Sequence, residues 1–219
     1  MTVSLFSRIC TIVSSLVLIM GIAVLWRKSL QAYINSFVLQ SYFFVLGILT
    51  VAIYTHDWEL YLVALIVGLL KVGFIPRVLH RTRIHVGVEI ESRPFINTPL
   101  SVLLAGVLTL LAYGIAQPIV ALSDLPTRSS IPVAFAVVFV GLFIVVSRRS
   151  ALTQIVGFLV LENGIALLAV LVTFGVPLIV ELGVFLDVLL GFLVMQVFVY
   201  RIRETFATID VDRLQKLRH

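Results

Sequence analysis

The sequence predicts an all-α protein, a polytopic bundle of transmembrane helices. Apolar residues make up 61% of the 219-residue chain and charged residues only 12%, whereas soluble proteins contain about 25% charged residues. The apolar residues form continuous runs close to the length of about 20 residues that a helix needs to cross a bilayer core of roughly 30 Å. The pattern lacks the alternating strands of a membrane β-barrel. We therefore expect a helical protein embedded in the membrane.

Seven apolar runs follow one another along the chain, separated by short polar or turn-forming segments. These segments are "RKSLQ", "THDWE", "HRTRIHVGVEIESRPFINTP", "SDLPTRSS", "SRRS" and "GVP", and none is long enough to form a second domain. The first run lacks a small-residue cleavage site, so we expect a retained span and not a signal peptide. The sequence predicts one transmembrane domain over 1–219, with a tail at 201–219 and spans at 9–26, 32–54, 58–79, 99–121, 130–147, 151–173 and 178–200.

The basic residues predict the orientation of these spans. With the N-terminus outside and the C-terminus in the cytoplasm, 13 basic residues face the cytoplasm and only Arg8 and Arg128 face outward. Cytoplasmic loops of membrane proteins carry such an excess of Lys and Arg, so the net charge of +5 is a topology signal and does not indicate nucleic-acid binding. The cytoplasmic set comprises Arg27, Lys28, Arg77, Arg81, Arg83, Arg93, Arg148, Arg149, Arg201, Arg203, Arg213, Lys216 and Arg218.

The cysteine and histidine content argues against a bound redox cofactor or metal. The single cysteine, Cys10, cannot form an internal disulfide or hold an iron–sulfur cluster. The four histidines, His56, His80, His85 and His219, fall outside the apolar cores, so a membrane haem held between two histidines is not expected. Any redox chemistry belongs to another subunit, and we expect a chain that is not catalytic alone.

Three ionisable residues are predicted to lie at one depth near the middle of the membrane. Glu162 is at the midpoint of the run 151–173. At a rise of about 1.5 Å per residue, Asp187 lies about 3 Å from the middle of its run, and Lys71 lies about 4 Å to the cytoplasmic side of its own. An ionised side chain at this depth costs at least about 2.5–3.5 kcal/mol on insertion scales. Each of these residues therefore needs a partner, a water-filled cavity or a neutral state.

Other polar residues in the spans complete this description. Gln40, three residues from the middle of its run, and Asn163, beside Glu162, add neutral polar groups to the same layer. Glu181 lies about 12 Å outward of the middle of its run, and about 120° around the helix from Asp187. Glu181 is therefore expected to serve a different neighbour or the exit of a path.

Small residues beside the two central acids predict that these acids face protein. Ala166 and Ala169 follow Glu162 at helical spacing, and Gly183 and Gly191 flank Asp187. Small residues let another backbone or a file of water approach a carboxylate. The sequence also allows purely structural alternatives. Lys71 could snorkel to the interface, and Glu181 could be solvated at the rim. The two central acids could be protonated and form structural hydrogen bonds.

The motifs that contain these residues resemble those of a known family. "LENG", "VELGVFLD" and the tail "DVDRLQKL", together with "KVGFIPRVL" around Lys71, resemble hydrogenase-4 component E, the small membrane subunit of formate-hydrogenlyase-type complexes. The C-terminal hairpin is similar to the K-type small membrane subunit of respiratory complex I. It is also similar to the C-type small subunit of multi-subunit cation/proton antiporters.

The resemblance implies a subunit of a bacterial or archaeal cytoplasmic (inner) membrane complex. Such a subunit packs between a quinone- or hydrogenase-linked membrane arm and antiporter-like subunits, and adds to a file of charged residues that couples redox chemistry to proton movement. Glu162 matches the first of two mid-membrane glutamates of the complex I relative. Glu181 matches the second loosely in sequence, whereas Asp187 matches it in depth. Lys71 belongs to the component E motif and has no counterpart in the complex I subunit.

These considerations lead to one mechanistic expectation and two alternatives. We expect Glu162 and Asp187 to exchange a proton through water, Lys71 to act on them electrostatically, and Glu181 to connect them to a neighbour or to the outside. A cation/proton antiporter module would use the same acids without redox partners. A purely structural subunit would tolerate single neutral substitutions at Glu162, Asp187 and Lys71.

Overall fold

Helices make up most of the chain that the computed structural model describes, which comprises residues 2–86 and 94–173. These residues contain no β-strand, and they pack into one compact unit. The seventh predicted span, 178–200, the tail 201–219, and Glu181 and Asp187 lie outside the described residues.

Six helical stretches in the described part are long enough and apolar enough to cross a membrane. The third is continuous from Trp58 to Arg81, although a short π-helical turn, Gly68–Phe74, divides it into two α-helices. The prediction of an all-helical membrane protein is therefore confirmed. The helices are α1 Val3–Trp26, α2 Leu30–Thr55, α3 Trp58–Val67, α4 Ile75–Val86, α5 Thr98–Leu122, α6 Ile131–Ser147 and α7 Ala151–Thr173.

Local sequence signals set where several helices begin. The side chains of Ser29, Asp57 and Asn97 precede α2, α3 and α5, and each accepts a hydrogen bond from a backbone N–H of the first turn. These are the residue types that satisfy the unpaired N–H groups of a helix start. At the end of α2, His56 adopts a left-handed conformation with φ 58°. The chain reverses there and enters α3 two residues later.

Helix α2 occupies a central place in the packing. It contacts α1, α3, α4, α7 and the π-helical turn, while α6 packs against α1, α5 and α7. Helix α5 lies at the side of this bundle and exposes large apolar side chains, with Leu110 exposed by 74%. Exposed leucines of this kind are consistent with a surface that faces lipid or other subunits. The region enclosed by α1, α2, α7 and the π-helical turn contains the polar residues described below.

Glycines bring α6 and α7 into backbone contact. A Cβ atom added at Gly164 of α7 would lie 2.7 Å from the backbone nitrogen of Val138, and one added at Gly157 would lie 2.6 Å from Ile144 Cγ2. In the other direction, a Cβ atom at Gly141 of α6 would collide with the backbone of Leu161. Small residues allow this close approach between membrane helices. The two helices therefore pack as a tight pair, which fixes α7 in position.

We expect Gly141→Ala to destabilise the protein because its methyl group would meet the backbone of α7, which cannot move aside as a side chain can. Overpacking of this kind costs about 1–3 kcal/mol. Gly106→Ala in α5 is the matched control, since nothing lies within 4 Å of a Cβ atom there. The control should be neutral or slightly stabilising. Thermal unfolding of the two variants in detergent measures the difference, and equal midpoints would contradict the proposed contact.

Candidate functional site

Lys71 lies within the π-helical turn and is fully buried, with 0% of the residue exposed. The turn ends two residues before Pro76, which has no N–H to donate and whose ring would crowd the carbonyl of Val72 in a regular α-helix. A wider turn accommodates this interruption of the normal hydrogen-bond pattern, and π-helical turns occur frequently at functional sites. The sequence around Pro76 therefore gives Lys71 a local backbone geometry unlike that of the rest of the span.

The ammonium group of Lys71 is directed into the protein and binds two residues of α7. Its Nζ atom donates a hydrogen bond to Asn163 Oδ1 at 2.7 Å and to Glu162 Oε1 at 3.3 Å, the latter also an ion pair. The same nitrogen lies 5.3 Å from the centre of the Phe44 ring, within the range of a cation–π contact. The charge of Lys71 is thus compensated inside the protein.

Asn163 extends these contacts to α2. Its Nδ2 atom donates to Gln40 Oε1 at 3.2 Å and to Ser41 Oγ at 3.1 Å, and all three side chains are fully buried. Gln40 Nε2 in turn donates to the carbonyl oxygen of Val17 in α1, at 3.2 Å. We call Lys71, Glu162, Asn163, Gln40 and Ser41 the buried polar network, which joins the third span to α7, α2 and α1.

Glu162 is the one member of this network whose hydrogen-bonding capacity is only half used among the described residues. Its side chain is 13% exposed, and Oε1 accepts from Lys71. Its other oxygen, Oε2, is buried and has no hydrogen-bond partner within the described ranges 2–86 and 94–173. Buried carboxylate oxygens are normally paired. Among the described residues of the network, this oxygen is therefore an exception.

The last three residues of the "LENG" motif make different contacts. Glu162 pairs with Lys71, Asn163 links Lys71 to α2, and Gly164 allows the close contact with α6. Substituting any one of them would therefore disturb a different contact of the same helix. Through these contacts the motif holds α7 against the third span, α2 and α6.

The structure brings together four of the residues that the sequence analysis selected: Lys71, Glu162, Gln40 and Asn163. The alternative in which Lys71 snorkels to the interface is wrong, because its ammonium group is buried and bound to α7. Asp187 and Glu181 lie outside the described residues, so their proposed roles stay predictions.

Two residues that take part in these contacts were not selected from the sequence. Ser41 accepts a hydrogen bond from Asn163, and Phe44 lies beneath the Lys71 ammonium group. Phe44 follows Gln40 at a spacing of four, which places both on one face of α2. That spacing was the available signal, but a phenylalanine in an apolar span is ordinarily a packing residue.

Arg148 is a second buried cation that sequence reasoning assigned only to topology. It is 1% exposed, its Nη2 atom donates to the carbonyl oxygen of Leu25 at 3.0 Å, and its guanidinium lies 5.8 Å from the Tyr33 ring centre. Basic side chains often bind the last carbonyl groups of a helix. Arg148 therefore ties the end of α6 to the end of α1.

The described residues offer no ready metal site. Within 2–86 and 94–173, no group of three or more His, Cys, Asp or Glu side chains is arranged to hold a metal ion. The buried polar network itself consists of a carboxylate, an ammonium group, two amides and a hydroxyl.

Comparison with known proteins gives the chain two kinds of relative. It is 39% identical over 202 residues, 90% of each chain, to the uncharacterized protein Rv0085 of Mycobacterium tuberculosis. It is 28% identical over 148 residues, 68% of each chain, to hydrogenase-4 component E of Escherichia coli, and equally to that of Shigella flexneri. The chain is thus a distant homologue of hydrogenase-4 component E. No family model matches the sequence, and no solved structure matches it.

This distant homology to hydrogenase-4 component E confirms the resemblance that the motifs predicted. The similarity of the C-terminal hairpin to the complex I subunit stays a prediction. The buried polar network contains two residues of the "LENG" motif, Glu162 and Asn163, together with the buried Lys71.

Proposed function

We propose that this chain is a non-catalytic membrane subunit of an energy-converting hydrogenase-type or complex I-like complex, in which its buried charged residues contribute to proton translocation coupled to redox chemistry. The observation that carries this proposal is the buried pair of Lys71 and Glu162, whose second carboxylate oxygen has no partner among the described residues. Ionisable residues within membrane spans are costly, and they commonly mark proton pathways.

The arrangement gives protonation of Glu162 a mechanical consequence. A proton that arrives at Oε2 neutralises the carboxylate and removes the ionic partner of Lys71. The ammonium group then keeps the Asn163 carbonyl and the Phe44 ring as its partners. The balance of attractions on Lys71 thus changes with each proton, and a wide π-helical turn has the backbone freedom to respond.

Asp187 is the proposed exchange partner of Glu162, because the sequence predicts it at the same depth in the span 178–200. In this proposal the two carboxyl groups pass a proton through water, and Glu181 connects the pair to a neighbouring subunit or to the outside. Lys71 acts on both acids through its charge. Asn163 holds the ammonium group in position, and Gln40 accepts a hydrogen bond from the Asn163 amide.

The proposed topology has seven spans, with the N-terminus outside and the C-terminus in the cytoplasm. The 13-to-2 distribution of basic residues supports it. The proposed location is the cytoplasmic (inner) membrane of a bacterium or archaeon. Reporter fusions after residues 56 and 148 measure the orientation, and a cytoplasmic reporter signal at residue 56 would contradict it.

We expect the chain to co-purify with other membrane subunits, both antiporter-like and quinone- or hydrogenase-linked, when native membranes are dissolved in a mild detergent. The reason is that its charged network serves proton transfer only within a longer path. Affinity purification of the tagged full chain, followed by mass spectrometry, identifies the partners. Recovery of the chain alone, under conditions that keep a known membrane complex of the same cells intact, would contradict the proposed function.

A further inference from the structure

We infer that Lys71 acts as a built-in cation that occupies an alkali-metal position and so makes the buried polar network selective for protons over sodium ions. This inference rests on the proposed function and goes further by naming the ion and the residue that selects it. Its basis is the set of groups around the Lys71 ammonium and the burial of that group.

The groups that bind Lys71 Nζ are those that bind a hard cation. A carboxylate oxygen of Glu162 lies 3.3 Å away, and the amide oxygen of Asn163 lies 2.7 Å away. The Phe44 ring offers its face at 5.3 Å. Carboxylate and amide oxygens are the ligands that hard metal ions prefer. An ammonium group and a sodium ion carry the same charge, so they compete for the same oxygens.

A proton and a sodium ion differ in what they require of this site. Sodium needs several oxygen ligands at once, and the ammonium group already holds Glu162 Oε1 and Asn163 Oδ1. A second cation would also lie within a few ångströms of a fully buried positive charge, where water screens little. A proton needs only one oxygen, and Glu162 Oε2 has no partner within the described residues.

Removing the ammonium group should turn the network into a sodium site. Lys71→Ala leaves a cavity beside Glu162 and Asn163 with an uncompensated carboxylate, and sodium would restore the charge balance. Lys71→Gln removes the charge, retains much of the side-chain volume and adds an amide oxygen as a ligand. Lys71→Arg keeps the positive charge and should continue to exclude sodium.

The test is thermal unfolding of the purified full chain in detergent, in sodium chloride and in choline chloride at equal ionic strength. We expect Lys71→Ala and Lys71→Gln to unfold at least about 3 °C higher in 100 mM sodium than in choline, since a ligand that binds only the folded state stabilises it. The wild type, Lys71→Arg and the exposed-lysine control Lys28→Ala should unfold equally in the two salts. Adding Glu162→Gln to either neutral variant should remove its sodium response.

Two outcomes would overturn the inference. One is an equal unfolding temperature in both salts for Lys71→Ala and for Lys71→Gln. The other is a sodium response of the wild type as large as that of these variants. This measurement does not depend on transport, so its failure leaves the proposed function standing. Conversely, normal proton translocation by an assembled complex that carries Glu162→Gln would contradict the proposed function, whatever the unfolding of Lys71→Ala and Lys71→Gln shows about sodium.

Discussion

Glu162→Gln should abolish proton translocation by the assembled complex, while electron transfer to artificial acceptors continues. Glutamine keeps the size of the side chain and an oxygen for Lys71, but it cannot take up and release a proton. The carboxylate is the acid of the buried polar network, and its Oε2 atom is the proposed loading position. Acidification of inverted membrane vesicles, followed with a pH-sensitive dye, measures the effect.

Glu59→Gln is the matched control for this variant. Glu59 belongs to the first turn of α3, close to the rim of the bundle, and the structure gives it no ion pair among the described residues. The substitution removes the same chemical group from the same chain and should leave proton translocation unchanged. A loss of translocation in both variants would point to defective assembly and would contradict a specific role for Glu162.

Lys71→Met should destabilise the protein by about 3 kcal/mol, because it leaves the buried Glu162 carboxylate without its cation. The double variant Lys71→Met/Glu162→Gln should recover part of this loss, since both charges are then removed together. The expected coupling free energy between the two positions is about 1–3 kcal/mol, as for residues in direct contact. Unfolding in sodium-free detergent solution measures all three variants. Simple addition of the two single effects would show that the pair contributes no coupling.

A common level for Lys71 and Glu162 could be predicted from the sequence because a helix rises by a fixed amount per residue. That rise placed Lys71 and Glu162 in one layer, and the structure joins them. The direction of Lys71 could not be predicted in the same way. A lysine about 4 Å from the middle of a span can reach the interface or the interior, and the choice depends on the groups that neighbouring helices supply. Asn163 and Phe44 supply them here.

Close helix packing was also only partly visible in the sequence. Small residues beside Glu162 were expected to leave room near the carboxylate, and Ala166 and Ala169 were selected for this reason. The tightest contacts of α7 occur instead at Gly157 and Gly164, which meet α6. Sequence spacing identifies the residues that share a helix face, but it does not tell which neighbour covers that face.

The adjacent arginines 148 and 149 illustrate a further limit. Both count equally as cytoplasmic charges in the predicted topology, yet Arg148 is buried against Leu25 and Tyr33, whereas Arg149 is exposed and stacks on Phe95 at 4.4 Å. Neighbouring residues at a helix end point in different directions, and their environments follow from the tertiary fold. Composition and charge counting therefore predicted a membrane protein, but they did not predict which arginine is buried or which groups it contacts.

The most direct test of the central claim is the number of protons translocated per pair of electrons by the intact complex. If Glu162 carries protons, this number should fall to zero in the complex with Glu162→Gln and stay at the wild-type value in the complex with Glu59→Gln. An unchanged number in the complex with Glu162→Gln would contradict the account, because the buried polar network would then serve structure alone.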